Sequence, residues 1–155
     1  MRWNLIRAMR TCDVITPMHR YKLFDHTADI GVEVYGKTVN DLFANAAFAV
    51  FDILTDLSQV MPTVERKIVV EGNGWEDLLV NYLREILYLY NGEGLLLKKF
   101  TVLVIDPKHL EGKAAGEPFD PARHRINTEI KAVTYHQAAV NKTAKEWQGR
   151  VIFDV

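Results

Sequence analysis

The sequence predicts an α+β fold, a single domain in which a mostly antiparallel β-sheet carries two packed helices. Two segments place apolar residues at helical spacing, and the segments around them alternate apolar and polar residues as strands do. The predicted order is β-β-α-β-α followed by several strands. Only one strand then separates the helices, which argues against a doubly wound parallel sheet.

The first predicted elements are two strands and a helix. Residues 21–25 form the first strand, and the alternation in residues 29–36 predicts a second strand with one buried face. Thr38 and Asp41 resemble a capping box at the start of a helix. The apolar stripe of this helix extends to Leu57, and a proline at position 62 marks its exit.

A strand and the second helix follow. Residues 63–72 are the next predicted strand. Asn73 and Glu76 form a second candidate cap, and an apolar stripe runs over residues 75–89. The sequence "NGEG" at residues 91–94 ends this helix, because glycine favours helix termini and turns.

The last third is predicted to be mostly strand. Residues 95–106 are strongly strand-like, whereas residues 108–124 hold Gly, Pro, Asp and Lys and predict a long hairpin arm or loop of low stability. Residues 126–140 and 147–155 predict two final strands, joined by the polar turn "NKTAKE".

Composition narrows the class of protein. Nineteen Lys and Arg against twenty Asp and Glu give a net charge of −1, so nucleic-acid binding by bulk positive charge is not expected, although a local basic patch remains open. Cys12 is the only cysteine, which excludes an intramolecular disulfide and is compatible with a reducing cytoplasm. No apolar run approaches the roughly 18–20 residues that span a bilayer. We expect a cytoplasmic protein without a membrane partner.

The first 19 residues differ from the domain predicted at 20–155. They are mildly basic and lack the continuous apolar region of a signal peptide. We interpret residues 1–19 as a disordered leader or as the product of an upstream start codon, with Met18 as the natural start. The alternative is a short amphipathic helix that docks on a partner.

The motif "FDHTADIGV" concentrates polar residues between two predicted strands. Asp25, His26, Thr27 and Asp29 fit a tight turn, since such side chains bond nearby backbone amides. They also fit a ligand cluster, because carboxylates suit calcium, magnesium or manganese. Two carboxylates are too few to enclose an ion. Asp154, with the terminal carboxylate or carbonyl of Val155, could complete the site if the last strand lies beside the second.

The motif "IKAVTYH" places further polar residues on a predicted strand. Lys131 beside a carboxylate cluster could orient an acidic group or contact a phosphate, but an exposed lysine on a strand is the commoner case. His136 could act as a ligand or base, although a lone histidine at a strand end is usually only hydrogen-bonded. The sequence lacks the phosphate-loop, dinucleotide-binding, nucleophile-elbow and zinc-protease motifs.

Together, "DHTADIGVEVYG", the helix "TVNDLFANAAFAVFDIL", "EIKAVTYH" and the terminal "FDV" resemble the archease family from Tyr21 to Val155. The resemblance implies a small α+β protein, not itself an enzyme, that assists an RtcB-type RNA ligase by promoting its guanylylation and multiple turnover in tRNA splicing or RNA repair. RNA would be contacted only indirectly, through the ligase. Another role proposed for the family is a chaperone or adaptor for a tRNA methyltransferase.

The resemblance also implies a site. Asp29, Asp154 and a main-chain oxygen of Val155 would bind a divalent cation, calcium in the first place, with manganese or magnesium as alternatives. Lys131 matches a lysine linked to activity, and His26 and Asp25 are further candidates. A tag appended after Val155 should then impair activity. No catalytic residue is expected. The alternative from the residues alone is a small metal-dependent hydrolase with His26 or His136 as its base.

Overall fold

The computed structural model describes residues 20–26 and 28–155, with Asp25 and His26 described by their backbone alone. The leader predicted at residues 1–19 lies outside the described residues. The elements are β1 (Tyr21–His26), β2 (Asp29–Gly36), α1 (Val39–Leu54), β3 (Val64–Glu71), α2 (Trp75–Asn91), β4 (Leu95–Asp106), β5 (His109–Pro118), β6 (Ala132–Lys142) and β7 (Trp147–Asp154). This order confirms the predicted α+β class.

The strands form two antiparallel sheets rather than one. The first has four strands in the order β1-β2-β7-β6, and the second has three in the order β3-β5-β4. Helix α1 packs on β2 and β4 and helix α2 on β6 and β3, so each helix contacts both sheets. The fully buried Phe43 and Tyr82 join the helices, with their ring centroids 5.8 Å apart. No helix in residues 20–26 and 28–155 is long and apolar enough to cross a membrane.

Helix α1 begins as predicted but ends earlier. The hydroxyl oxygen of Thr38 accepts a hydrogen bond from the Asp41 amide at 3.1 Å, which confirms the cap. The helix stops at Leu54, because Thr55 is extended and its hydroxyl donates to the Arg125 carbonyl at 2.7 Å. Leu57, predicted as part of this helix, instead begins a short 3₁₀ turn.

The predicted cap of helix α2 is wrong. Gly74 is the capping residue and has a φ of 110°, a conformation that glycine adopts without steric cost. Asn73 donates its amide to the Asp77 carboxylate at 2.8 Å, and Glu76 accepts a hydrogen bond from the Val140 amide at 3.1 Å. Glu76 therefore ties the helix to β6 instead of closing a capping box.

Of the alternatives predicted for residues 108–124, the hairpin arm is confirmed for the first part, because β5 forms a hairpin with β4. It is an integral strand of the second sheet and not a weak arm or a loop. Strand β5 is the central strand of the second sheet and pairs with both β3 and β4. Apart from Leu110, its inward residues are small because the β4 backbone approaches closely. A Cβ added at Gly116 would overlap the Leu96 carbonyl oxygen, and one at Gly112 would overlap that of Thr101. A buried strand built from small residues has the composition of a loop.

A polar cluster around the buried Glu117 and His124 joins the end of β5 to the chain after α1. The Glu117 carboxylate accepts hydrogen bonds from both terminal nitrogens of Arg123, at 3.0 and 2.8 Å, and from the Met61 amide at 2.8 Å. The Nδ1 atom of His124 accepts a hydrogen bond from the Asp120 amide. Its Nε2 therefore carries the proton and donates a hydrogen bond to the Glu117 carboxylate at 3.0 Å. These donors, Arg123 first, lower the pKa of Glu117 from 4.5 to about 2.

The lowered pKa of Glu117 predicts an acid-sensitive stability. A carboxyl whose folded pKa lies below its unfolded value stabilises the fold above about pH 4.5, and this contribution is lost as the pH falls towards 2. Urea unfolding at stepped pH should show Glu117→Gln less stable than wild type near neutrality, with a shallower decline in acid. The exposed Glu129→Gln should keep the wild-type slope. Equal slopes for wild type and Glu117→Gln would contradict the assignment.

Candidate functional site

The ends of four strands lie side by side at one end of the first sheet, along the edge that runs across the strands. The register places Asp29 opposite Asp154, and the same row continues to His26 on β1 and to Ala132 on β6. The last strand therefore lies beside the second, as the sequence analysis required. We call this edge, formed by the six predicted site residues, the acidic tip: Asp25, His26, Asp29, Lys131, Asp154 and Val155.

The side chains of Asp29 and Asp154 project to the same side of the sheet. Val32 and Val34 of β2 are fully buried, and so is Phe153 of β7. Successive side chains in a strand alternate between faces, so Asp29 and Asp154 lie on the outer face. Directly opposed residues have Cβ atoms about 4.5–5.5 Å apart, and two like charges at that spacing destabilise a sheet. The tip thus places two carboxylates where they repel.

Backbone contacts hold the rest of the tip in place. The Lys131 amide donates to the Asp154 carbonyl at 2.7 Å, which fixes the start of β6 against the end of β7. Val155 is half-buried and packs against the core. In the turn between β1 and β2, Ala28 has a φ of 53°, in the left-handed region. Asp25 and His26 are the last two residues of β1, and their side chains lie outside the described part.

The donors at the tip fit a hard divalent cation. Carboxylate and main-chain oxygens are the ligands that calcium, magnesium and manganese prefer. Among the side chains that the structure describes, which do not include those of Asp25 and His26, no group of three His, Cys, Asp or Glu could hold a metal ion. Asp29 and Asp154 would therefore need a third oxygen, from the main chain of Val155 or from Asp25. That these residues bind metal stays a prediction.

The last two residues of the motif "KAVTYH" lie in a bulge that the sequence analysis missed. Strand β6, predicted from residue 126, begins at Ala132, because residues 126–131 are held by isolated contacts instead of a ladder. Its register to β7 jumps between Thr134 and Ala139, and Gln137 in the bulge has a φ of 56°. Single-sequence alternation carries no signal for such an insertion.

Tyr135 anchors this bulge to helix α2. Its hydroxyl donates to the Asp77 carboxylate at 2.6 Å, and the Arg84 guanidinium lies over its ring, 4.6 Å from the centroid. The hydrogen bond from Tyr135 lowers the pKa of Asp77. His136, a candidate ligand or base, lies exposed in the bulge and outside the row of strand ends at the tip.

An ion pair and a shallow groove of about 170 Å³ lie on the outer face of the first sheet. Arg150 donates to the Glu33 carboxylate at 3.0 Å and lowers the pKa of Glu33. Neither Asp29 nor Asp154 lines this groove, which is formed by Glu33, Tyr35, Ala139, Asn141, Gln148, Gly149 and Arg150. The tip and the groove are thus separate features of the sheet.

Two antiparallel sheets bridged by two helices, with an acidic edge on the larger sheet, define a small α+β protein with a candidate cation site. The model of the Archease protein family matches residues 21–155. The chain belongs to the archease family, which confirms the resemblance found in the sequence.

Relatives support the same assignment. The chain is similar to the protein archease of Sulfurisphaera tokodaii, with 40% identity over 140 residues, covering 89% of this chain and 100% of the relative. It is similar to that of Pyrococcus furiosus, with 38% identity over 142 residues and the same coverage. The solution structure of a Methanobacterium thermoautotrophicum protein superimposes with a TM-score of 0.78 at 34% identity, covering 89% of this chain and 100% of that one.

A more distant structure shares the fold alone. The crystal structure of a Thermotoga maritima archease, described as a possible chaperone, aligns with a TM-score of 0.57 at 22% identity. The alignment covers 90% of this chain and 100% of that one. Its two-helix, antiparallel architecture agrees with the fold described above.

Proposed function

We propose that this archease is a non-enzymatic protein cofactor of an RtcB-type RNA ligase, promoting ligase guanylylation and multiple turnover in tRNA splicing or RNA repair. The observation that supports the proposal most directly is the pairing of Asp29 with Asp154 at an exposed sheet edge, beside Lys131. The two carboxylates face each other in this register, and a cation bound between them would relieve their repulsion.

The acidic tip would act by holding two carboxylates in a fixed position for the ligase to contact. Strands β2 and β7 hold Asp29 and Asp154 on a rigid ladder, and the Lys131 amide fixes the strand end that carries Asp154. A divalent cation, calcium in the first place and otherwise manganese or magnesium, would neutralise the repulsion between the carboxylates. A rigid edge of this kind can enter a partner's active site without first being ordered, which lowers the entropic cost of association.

The direct test is a reconstitution of ligase activity. Ligase guanylylation and RNA joining would be measured with the cognate ligase, GTP and manganese, with and without the protein, carrying any tag at the N-terminus so that Val155 stays accessible. We expect multiple turnover only when the protein is present. If a competent ligase is not stimulated by the protein, the proposal is rejected. The remaining alternatives are then a chaperone for a tRNA methyltransferase and a metal-dependent hydrolase. Hydrolytic turnover by the protein alone would favour the hydrolase.

Metal binding at the tip has its own readout. A ligand that binds only the folded state stabilises it by RT ln(1 + [L]/Kd), about 1.4 kcal/mol at ten times Kd, which raises Tm by about 4 °C in a domain of this size. We expect calcium or manganese to raise Tm in thermal melts of the wild type but not of Asp154→Ala. Asp106→Ala, at a strand end of the other sheet, should keep the shift. A melt unmoved at millimolar metal would count against the site.

A further inference from the structure

A groove of about 270 Å³ lies between helix α1 and strand β4, away from the acidic tip. It is lined by three basic residues, two polar residues, two aromatic rings and one alanine: Arg20, Lys98, Lys99, Asn45, Thr101, Phe48, Phe100 and Ala44. We call it the basic groove. Arg20 immediately precedes β1, whose other end is at the tip, and six residues of strand separate the two sites by about 20 Å.

All charged residues that line the basic groove are cations. The chain as a whole carries a net charge of −1, yet the lining residues include three cations and no carboxylate. Within the described part of the chain, no acidic side chain pairs with the exposed Lys99. Three cations that converge on one concavity repel each other, and an anion would relieve that repulsion.

A β-bulge aims two consecutive lysines at this groove. The register between β4 and β5 shifts between Leu97 and Lys99, leaving Lys98 without a partner in the ladder. In a regular strand, neighbouring side chains project to opposite faces, whereas a bulge redirects them. Lys98 and Lys99 consequently both line the groove, and Lys98 is steadied by a 3.2 Å hydrogen bond from Nζ to the Val60 carbonyl.

The walls of the groove are held by packing. Phe100 stacks on the buried Phe51 with centroids 5.9 Å apart, and the Arg20 guanidinium lies over Phe48, 4.0 Å from its centroid. The Arg20 carbonyl accepts a hydrogen bond from the Tyr35 amide at 2.9 Å, which fixes its backbone on the sheet. Basic groups beside partly exposed aromatic rings are the combination that binds phosphates and stacks bases.

We propose that the basic groove binds a nucleotide phosphate, with the phosphate between Lys99 and Arg20 and the base or sugar against Phe48 and Phe100. The Thr101 hydroxyl would add a donor to the phosphate. The phosphate can come from a free nucleotide or from a single RNA strand, since the recognising groups are the same. The site is independent of the acidic tip and of the role proposed for it.

The test is an amide NMR titration of the full chain with inorganic phosphate, AMP and a ten-residue oligoadenylate. We expect saturable shifts for AMP at the amides of Asn45, Lys99 and Thr101. AMP should bind about tenfold more tightly than phosphate, as base stacking would require. Lys99→Ala should weaken AMP binding about tenfold, the value of one charge-assisted hydrogen bond, and Lys99→Glu should weaken it further.

Matched variants make the outcome decisive. Lys145→Ala removes an exposed lysine from the turn before β7 and should leave AMP affinity unchanged. Tighter binding of the oligomer through the same amides would identify an RNA strand as the source, and equal affinity would identify the free nucleotide. The proposal is overturned if no probe gives saturable shifts, if phosphate binds as tightly as AMP, or if Lys145→Ala weakens binding as much as Lys99→Ala.

Discussion

Replacing Asp29 or Asp154 by alanine is expected to reduce ligase activation strongly while leaving the fold intact. Groups that merely orient a metal ligand are worth about 10–100-fold in affinity or activity, and a direct ligand should be worth at least as much. We therefore expect stimulated RNA joining to fall by about tenfold or more in either variant. The measurement is multiple-turnover joining with GTP and manganese, together with single-turnover guanylylation of the ligase.

The same variants separate a functional role from a structural one. Asp154→Ala removes one of two opposed carboxylates, so this variant without metal should be no less stable than wild type. Asp106→Ala is the matched control, an aspartate at the end of β4 whose carboxylate accepts the Lys108 amide at 2.8 Å. It should activate the ligase normally. Equal activation by wild type, Asp29→Ala and Asp154→Ala would move the site away from the tip.

Gly116→Ala is expected to be the most destabilising conservative change in the second sheet. The new methyl group would overlap the Leu96 carbonyl oxygen, a main-chain atom of the neighbouring strand that cannot move aside without breaking the ladder. Overpacking of a core typically costs 1–3 kcal/mol, and a clash with backbone belongs at the upper end. We expect a loss of about 3 kcal/mol, or about 9 °C in Tm.

Gly149→Ala is the matched control for this prediction. Gly149 is also buried in a strand, but a Cβ there would lie 3.5 Å from the nearest atom, the Ala139 carbonyl oxygen, which is an ordinary contact. Its stability should change by less than about 1 kcal/mol, because reduced flexibility of the unfolded chain offsets any small crowding. Chemical denaturation of both variants checks the pair. Similar losses at the two positions would refute the role of the close β4–β5 approach.

Much of the site could be predicted because it depends on local chemistry. The residues of "DHTADIG" and of the last strand were identifiable as oxygen donors, and the pairing of Asp29 with Asp154 required only that β2 and β7 be neighbours. The structure supplies that neighbour relation and adds Lys131 to the same edge. The anchor from Tyr135 to Asp77 could not be predicted, because it joins residues 58 positions apart through a bulge.

Local patterning by itself determined the element types, their order, the Thr38 cap and the α+β class, because period and capping chemistry act within a few residues. Tertiary structure alone decided the division into two sheets and the central place of β5. It also decided the basic groove, in which Arg20 and Phe48 meet Lys99 across the fold. The physical reason is that the backbone of β4 lies too close to β5 to leave room for larger side chains. Close backbone approach selects glycine and alanine, the residues that in a single sequence resemble a loop.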